Sequence, residues 1–277
     1  MTYEECFQKG RAALAQAGIE EAALDARLLL EVVCGTNRND LLVHGGREVE
    51  TARAEEYAGL IAKRAERIPL QHLTGVQEFM GLEFVVNEQV LIPRQDTEIL
   101  VEEALKELQD GSRILDMCTG SGCILLSLLH YSNNCQGIGA DISGEALKVA
   151  EKNAQALGIK DAVFVQSDLF ENVTGKYEMI VSNPPYIPSP VIGTLMPEVK
   201  DHEPLQALDG SDDGLLFYRR IISGSREFLT GGGRLYLEIG YDQAKAVSGL
   251  MEQNGFQEIQ TVKDYAGLDR VLFGSMA

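Results

Sequence analysis

The sequence predicts an α/β fold in which a doubly wound sheet, closed by a terminal antiparallel hairpin, follows a small all-helical domain. Three observations predict it. The first 75 or so residues carry apolar positions at helical spacing only, the chain after Pro93 alternates strand-like and helix-like segments, and two final strand-like segments lie too close together for a helix between them. The expected boundaries are residues 1–75 for the helical domain, 76–93 for a linking β-hairpin and 94–277 for the α/β domain.

In order along the chain, Thr2 and Glu5 have capping-box spacing ahead of a first helix. Residues 22–34 are rich in Leu, Val and Ala and stop at Gly35, and a third helical stretch over 51–67 is closed by Pro69. Leu82, Phe84 and Val86, then Val90 and Ile92, flank the turn-like Asn87-Glu88, which predicts the hairpin. Strands are expected at 113–117, 136–141, 162–166, 177–182 and 234–239, most of them followed by helices, and the closing pair at 256–262 and 270–273. A doubly wound sheet with such an ending resembles the class I methyltransferase (Rossmann-like) architecture.

Composition narrows the function classes. With 45% hydrophobic residues the chain can bury a full core. Lys and Arg total 24 against 42 Asp and Glu, and a formal net charge of -18 opposes the phosphate neutralisation on which nucleic-acid affinity rests, so no direct nucleic-acid partner is expected. Cys6, Cys34, Cys118, Cys123 and Cys135 form no C-x-x-C pair and the four histidines show no ligand spacing, so no metal is expected. The start of the chain lacks a signal core and no apolar run approaches the roughly 20 residues of a membrane helix. A cytoplasmic monomer without membrane association is the expectation.

The first chemical signal is Asp116-Met117-Cys118-Thr119-Gly120-Ser121-Gly122, between a buried strand and a helix beginning near Cys123. Glycines there let the backbone turn sharply and approach a ligand. About twenty residues on, Asp141 ends the next strand, where a carboxylate accepts hydrogen bonds from ribose hydroxyls. Asp168 ends the third strand on the same rim, placed to accept from an adenine amino group, with Leu169 as an apolar contact to the ring. A nucleoside cofactor follows. A dinucleotide fingerprint starting at Gly120 would need Gly or Ala at position 125, which is Leu125, so a dinucleotide oxidoreductase is the weaker reading.

The second signal is Asn183-Pro184-Pro185-Tyr186, directly after the strand Ile180-Val181-Ser182 and hence at the carboxyl end of the sheet. Two prolines stiffen the backbone and remove two donors, leaving carbonyls as acceptors. Such a loop suits a planar amine or amide, whose delocalised lone pair attacks a sulfonium methyl once both N–H groups are held. The Asn183 side-chain oxygen and the Pro184 carbonyl can accept those hydrogens, and Tyr186 can stack on the planar group. Adenine N6 and guanine N2 are conjugated amines too, so an amino methyltransferase acting on a nucleic-acid base is the rival reading.

The chain resembles the bacterial peptide chain release factor glutamine methyltransferases, the PrmC/HemK family. The resemblance spans nearly the whole chain: the helical amino-terminal part, Pro69-Leu70-Gln71-His72-Leu73-Thr74-Gly75, Ile92-Pro93-Arg94-Gln95-Asp96-Thr97-Glu98, the glycine loop, Asn183 to Tyr186, and His202-Glu203-Pro204-Leu205. It implies methylation of the side-chain amide nitrogen of the glutamine in the Gly-Gly-Gln motif of release factors, with S-adenosyl-L-methionine as donor and a release factor as protein partner. Residues Cys118, Thr119, Gly120, Ser121, Gly122, Asp141, Leu169 and Asn183 would then contact the donor, Asn183 to Tyr186 would hold the glutamine, and the helical domain would help bind the release factor. Cys118 stands where the family commonly has Gly, and Leu169 where an aromatic often stacks on adenine, which implies at most a weaker cofactor affinity. Arg94 and Glu98 are placed to reach over the cleft, although Asp96-Thr97-Glu98 is also a good helix start. Residues 187–213, with Pro188, Pro190, Pro197 and Pro204, read as a long loop flanking the acceptor site.

Overall fold

The computed structural model describes residues 1–276. Contacts divide it into two compact units, one formed by Met1–Val76 with Met196–His202, the other by Gln77–Leu195 with residues 203–276.

The first unit is helical: α1 (Tyr3–Gln16), α2 (Ala22–Cys34), α3 (Arg38–Val43), α4 (Thr51–Ala65) and α5 (Leu70–Thr74). The capping box forms as read, with the Glu5 backbone N–H donating to Thr2 Oγ1 and the Thr2 N–H to Glu5 Oε2. Leu14, Leu29, Leu30 and Tyr57 are buried together where α1, α2 and α4 pack, and each such apolar side chain contributes about 1.5–3 kcal/mol on leaving water. The helix expected over 51–67 ends at Ala65, because Arg67 takes a left-handed φ of 71° ahead of Pro69. Two short helices, α3 and α5, were not expected: six and five residues are too few to display a period.

A two-stranded sheet of β1 (Val76–Phe79) and β2 (Leu82–Val85) follows. The hairpin is real but its turn is Met80-Gly81, not Asn87-Glu88. Met80 and Gly81 both have positive φ, 53° and 70°, the pairing that matches strand twist in a two-residue turn. Asn87 instead caps a local turn, its side chain accepting from the Gln89 N–H at 3.0 Å, and Val90 and Ile92 lie in no strand.

The second unit then alternates α6 (Gln95–Glu107), β3 (Arg113–Met117), α7 (Cys123–His130), β4 (Gln136–Asp141), α8 (Gly144–Ala156), β5 (Ala162–Gln166) and β6 (Tyr177–Ser182). After β6 come α9 (Ser189–Ile192), α10 (Pro197–Lys200), a 3₁₀ turn at Leu205–Ala207, α11 (Leu216–Phe228), β7 (Leu229–Glu238), α12 (Ala244–Gln253), β8 (Phe256–Lys263) and β9 (Asp269–Met276). The segment 187–213 is therefore not a structureless loop: it carries two single-turn helices, and Ile187 bridges to Asp209. Its stretch 196–202 belongs to the helical unit.

The seven-stranded sheet runs β5-β4-β3-β6-β7-β9-β8, with β9 antiparallel to both its neighbours and the rest parallel. This is the class I methyltransferase arrangement. Its central strands bury both faces: Ile114, Met179, Val181 and Tyr236 join the core beneath α6 and α7, while Leu115, Met117, Ile180 and Leu237 join the core that takes in α11 and α12. The strand order reverses between β3 and β6, so the loops after these two strands open a crevice at their carboxyl ends.

Candidate active site

At that crevice lies a cavity of about 550 Å³. The glycine loop, the ends of β4 and β5, and the start of the Asn-Pro-Pro-Tyr segment all reach it, which brings together Cys118, Thr119, Gly120, Ser121, Asp141, Asp168, Leu169, Asn183, Pro185 and Arg94 of the residues read from sequence. Gly122, Pro184, Tyr186 and Glu98 are not among its lining residues.

Each placement has a local cause. Thr119 turns inward, its hydroxyl donating to Asp116 Oδ2 at 2.6 Å, and its N–H donates to the Ala140 carbonyl, so the loop is fastened to β3 and β4 at once. Cys118 holds φ +61° and Leu169 φ +51°, so two of the cavity-lining residues with side chains fall on left-handed positions. Burial, reinforced by the carboxylates of Asp141 and Asp116, pushes the Cys118 thiol far above its ordinary range and keeps it protonated. Asp141 accepts from the backbone N–H groups of Gly120 and Ser143, both at 2.9 Å, which sets the rotamer of its carboxylate. Its pKa is nevertheless raised, since burial outweighs these bonds.

Asp168 is paired with Arg220 of α11 at 3.0 Å, an engagement the sequence did not suggest. Arg94 is bound at both oxygens of Glu203, 2.7 and 2.6 Å away. Glu98 points elsewhere, accepting from the Met80 N–H in the hairpin turn at 2.7 Å.

The acceptor segment is fastened to the end of β7. The Tyr186 hydroxyl donates to Glu238 Oε1 at 3.2 Å, and the Tyr186 carbonyl accepts from Gln243 Nε2 at 3.0 Å. The tyrosine thus serves the interior, and a stacking role over the cavity does not fit this placement. Asn183 Nδ2 donates to Thr97 Oγ1 at 3.3 Å, and Thr97 in turn donates to Glu238 Oε2 at 2.6 Å. Thr97, Glu238 and Gln243 were all missed. Thr97 reads in the sequence as part of a helix start, and Glu238 ends an apolar strand on the same rim as Asp141 and Asp168.

Arg94 is the one cation among the described residues lining the cavity, and Glu203 neutralises it, whereas Asp141, Asp168 and Asp209 also line it. A pyrophosphate would meet carboxylates there. A nucleoside carrying a positive sulfonium suits the same lining, and Gly120, with no atom within 4 Å of where a Cβ would stand, leaves its backbone open to such a ligand. Among the described residues no cluster of His, Cys, Asp or Glu could hold a metal, and no helix is long and apolar enough to cross a membrane.

Residues 5–75 match the PrmC N-terminal domain and residues 94–191 the methyltransferase small domain. The release factor glutamine methyltransferase of Geobacter sulfurreducens is 42% identical over 95% of this chain and 93% of its own length. That of Clostridium acetobutylicum is 40% identical over 98% of each. Among solved structures, a methyltransferase from Pyrococcus furiosus superposes with a TM-score of 0.55 at 17% identity, over 77% of this chain and 98% of its own, a likeness of fold.

Proposed function

The chain belongs to the release factor glutamine methyltransferase family, and from that membership we propose that it methylates the N5 side-chain amide of the Gly-Gly-Gln glutamine of peptide chain release factors, drawing the methyl from S-adenosyl-L-methionine. The observation that carries the reading is the cavity in which the Asn183 amide and the nucleoside-suited loop face one space.

When bound, S-adenosyl-L-methionine supplies an electrophilic methyl on a sulfonium. The residues that would hold it are Gly120 and Ser121 through the backbone, Asp141 toward the ribose, and Leu169 with Ile142, a 56% exposed apolar side chain in the lining, as apolar contacts for the base. Asp168 can still accept from the adenine amino group through the oxygen that Arg220 does not engage.

For the acceptor amide, the chain's task is to hold two N–H groups so that the nitrogen lone pair faces the methyl. Asn183 Oδ1 is one acceptor, left open because Nδ2 is occupied by Thr97. The Pro184 carbonyl is the second in this reading, on a backbone stiffened by the proline pair, although Pro184 is buried beside the cavity and its neighbours Asn183 and Pro185 are the ones that line it. No strong base need act first: once methylated, the amide nitrogen would give up one proton to water, and the orientation imposed by the two acceptors would supply most of the acceleration. The segment 203–209, rich in residues that line the cavity, and Arg94 fixed by Glu203, flank the approach of the polypeptide.

Mass spectrometry of a release factor incubated with the enzyme and S-adenosyl-L-methionine should show one added methyl on the Gly-Gly-Gln glutamine. Asn183→Ala removes one of the two fixed acceptors and should slow transfer about 100-fold or more, by analogy with the loss of one oxyanion-hole partner. Methylation at an undiminished rate in the variant would remove Asn183 from the reaction.

A further inference from the structure

Asparagine is an ambiguous acceptor. Its oxygen and NH₂ occupy nearly the same volume, and turning the amide over would present two donors to a substrate that itself brings donors. The environment of Asn183 decides which face is offered. Glu238 is 1% exposed at the end of β7, and its two oxygens are occupied by hydroxyls, Thr97 at 2.6 Å and Tyr186 at 3.2 Å. Burial raises the Glu238 pKa against the opposing pull of the Thr97 hydroxyl, Arg270 and the Tyr186 hydroxyl, and in its carboxylate form Glu238 can only accept, so the single hydrogen of Thr97 is committed to it. The Thr97 oxygen then has only lone pairs left for Asn183, and it is Nδ2 that approaches it, at 3.3 Å.

We infer that Glu238 and Thr97 are positioning residues that set the polarity of Asn183, forcing its amide oxygen toward the acceptor nitrogen. This deepens the proposed function and rests on it. The three residues come from widely separated parts of the sequence, the first turn of α6, the end of β6 and the end of β7, and meet on the rim of the cavity, which Thr97 and Asn183 both line. Thr97 is 2% exposed, so no solvent competes for its hydroxyl. Tyr186 fills the second carboxylate oxygen of Glu238, tying the far end of the acceptor motif to the same anchor.

The arrangement makes a directional demand that simple packing does not. Valine at position 97 would keep the branched shape and remove both the acceptor for Asn183 Nδ2 and the donor to Glu238. The amide could then take either orientation, and the buried carboxylate would lose a partner. Serine would keep the hydroxyl. Glutamine at 238 would keep the volume but could donate as well as accept, so the array would no longer have a single direction.

The test is single-turnover methyl transfer to a release factor by wild type, Thr97→Val, Thr97→Ser and Glu238→Gln, with the S-adenosyl-L-methionine Kd and thermal unfolding measured on each. The expected result is a rate about 10- to 100-fold lower for Thr97→Val and about 10-fold lower for Glu238→Gln, with cofactor Kd within about twofold of wild type and Thr97→Ser restoring most of the rate. A wild-type rate in Thr97→Val and Glu238→Gln would overturn the inference while leaving the proposed function intact. So would parallel losses of rate and cofactor affinity that Thr97→Ser does not restore, since those mark a packing role. Should Thr97→Val not fold, Glu238→Gln decides alone between the same outcomes. Absence of transfer by wild type would instead defeat the proposed function, and the inference with it.

Discussion

Asp116 sits at the base of the glycine loop with no exposure to solvent, one oxygen bonded to the Thr119 hydroxyl and the other near no donor in good hydrogen-bond geometry, the Leu125 N–H acting on the carboxyl only weakly. Burial is the main cause that lifts its pKa from 3.8 to about 7, with the Thr119 hydroxyl and the Leu125 N–H opposing. The folded protein therefore holds this proton more tightly than the unfolded chain does. Its contribution to stability is complete below the unfolded value and is lost as pH rises through the folded one. From 3.8 to about 7 the loss amounts to roughly 4 kcal/mol. Asp116→Asn cannot ionise, so denaturant unfolding at about pH 4 and about pH 8 should show wild type losing roughly that much relative to the variant. A difference between the two proteins that stays constant with pH would place the titration elsewhere. Cys118, two residues on, shows the other way this loop carries cost: a left-handed backbone under a side chain with a Cβ stores about 1–2 kcal/mol that glycine would not.

At the scale of elements, the loop passes into α7 through Gly122, the helix's N-cap, at φ +80°. A Cβ there would lie 3.1 Å from Leu126 Cδ1 and 3.2 Å from the Cβ of Ala150 on α8, so alanine meets backbone strain and crowding at once. Gly122→Ala should destabilise the protein by about 1–3 kcal/mol in a denaturant titration and weaken cofactor binding measured by calorimetry, because Gly120 and Ser121 hang from the same turn. Stability equal to wild type would mean α7 and α8 can part without cost. The strands β3, β4, β5 and β6 were legible to the residue because each reads as a short apolar run ended by a polar residue, even β5, which lies at the sheet edge and exposes Val163. Strand β7 was placed five residues late, since Thr230-Gly231-Gly232-Gly233 reads as a turn while Leu229 already pairs with Tyr177. The hairpin turn was misplaced because methionine gives no turn signal and Asn87-Glu88 does. In the site, motifs that act through their own backbone, the glycine loop and the proline pair, were visible in one dimension. The Glu238, Thr97 and Asn183 array was not, because hydrogen bonds that join residues 86 and 141 positions apart leave no spacing to read.

For the whole molecule, the division into two units makes a prediction about how it comes apart. The helical unit encloses an ion network in which Arg64, 8% exposed, donates to Asp25 at 2.7 Å and to Glu198 at 3.1 Å, with Arg67 also on Glu198 at 3.1 Å. Burial would raise the Glu198 pKa, but its own backbone N–H and the two arginines prevail and hold it below the ordinary value, so the stability it contributes is present above about pH 4.5 and fades as pH falls. Glu198 lies in the 196–202 stretch, which joins this unit although the chain on either side belongs to the other. Arg64→Ala leaves Asp25 buried and uncompensated, a loss of about 3–5 kcal/mol for a broken buried pair. Because every member of the network lies within one unit, hydrogen exchange should quicken in peptides covering 1–76 and 196–202 while the seven-stranded sheet keeps its protection. Glu203, adjoining that stretch, holds Arg94 at the cavity, so loosening 196–202 should also raise KM for the release factor with little change in cofactor Kd. Equal loss of protection in β3 and β6 would show instead that the two units open as a single cooperative body, and the ion network would then be supporting the sheet as much as the helices.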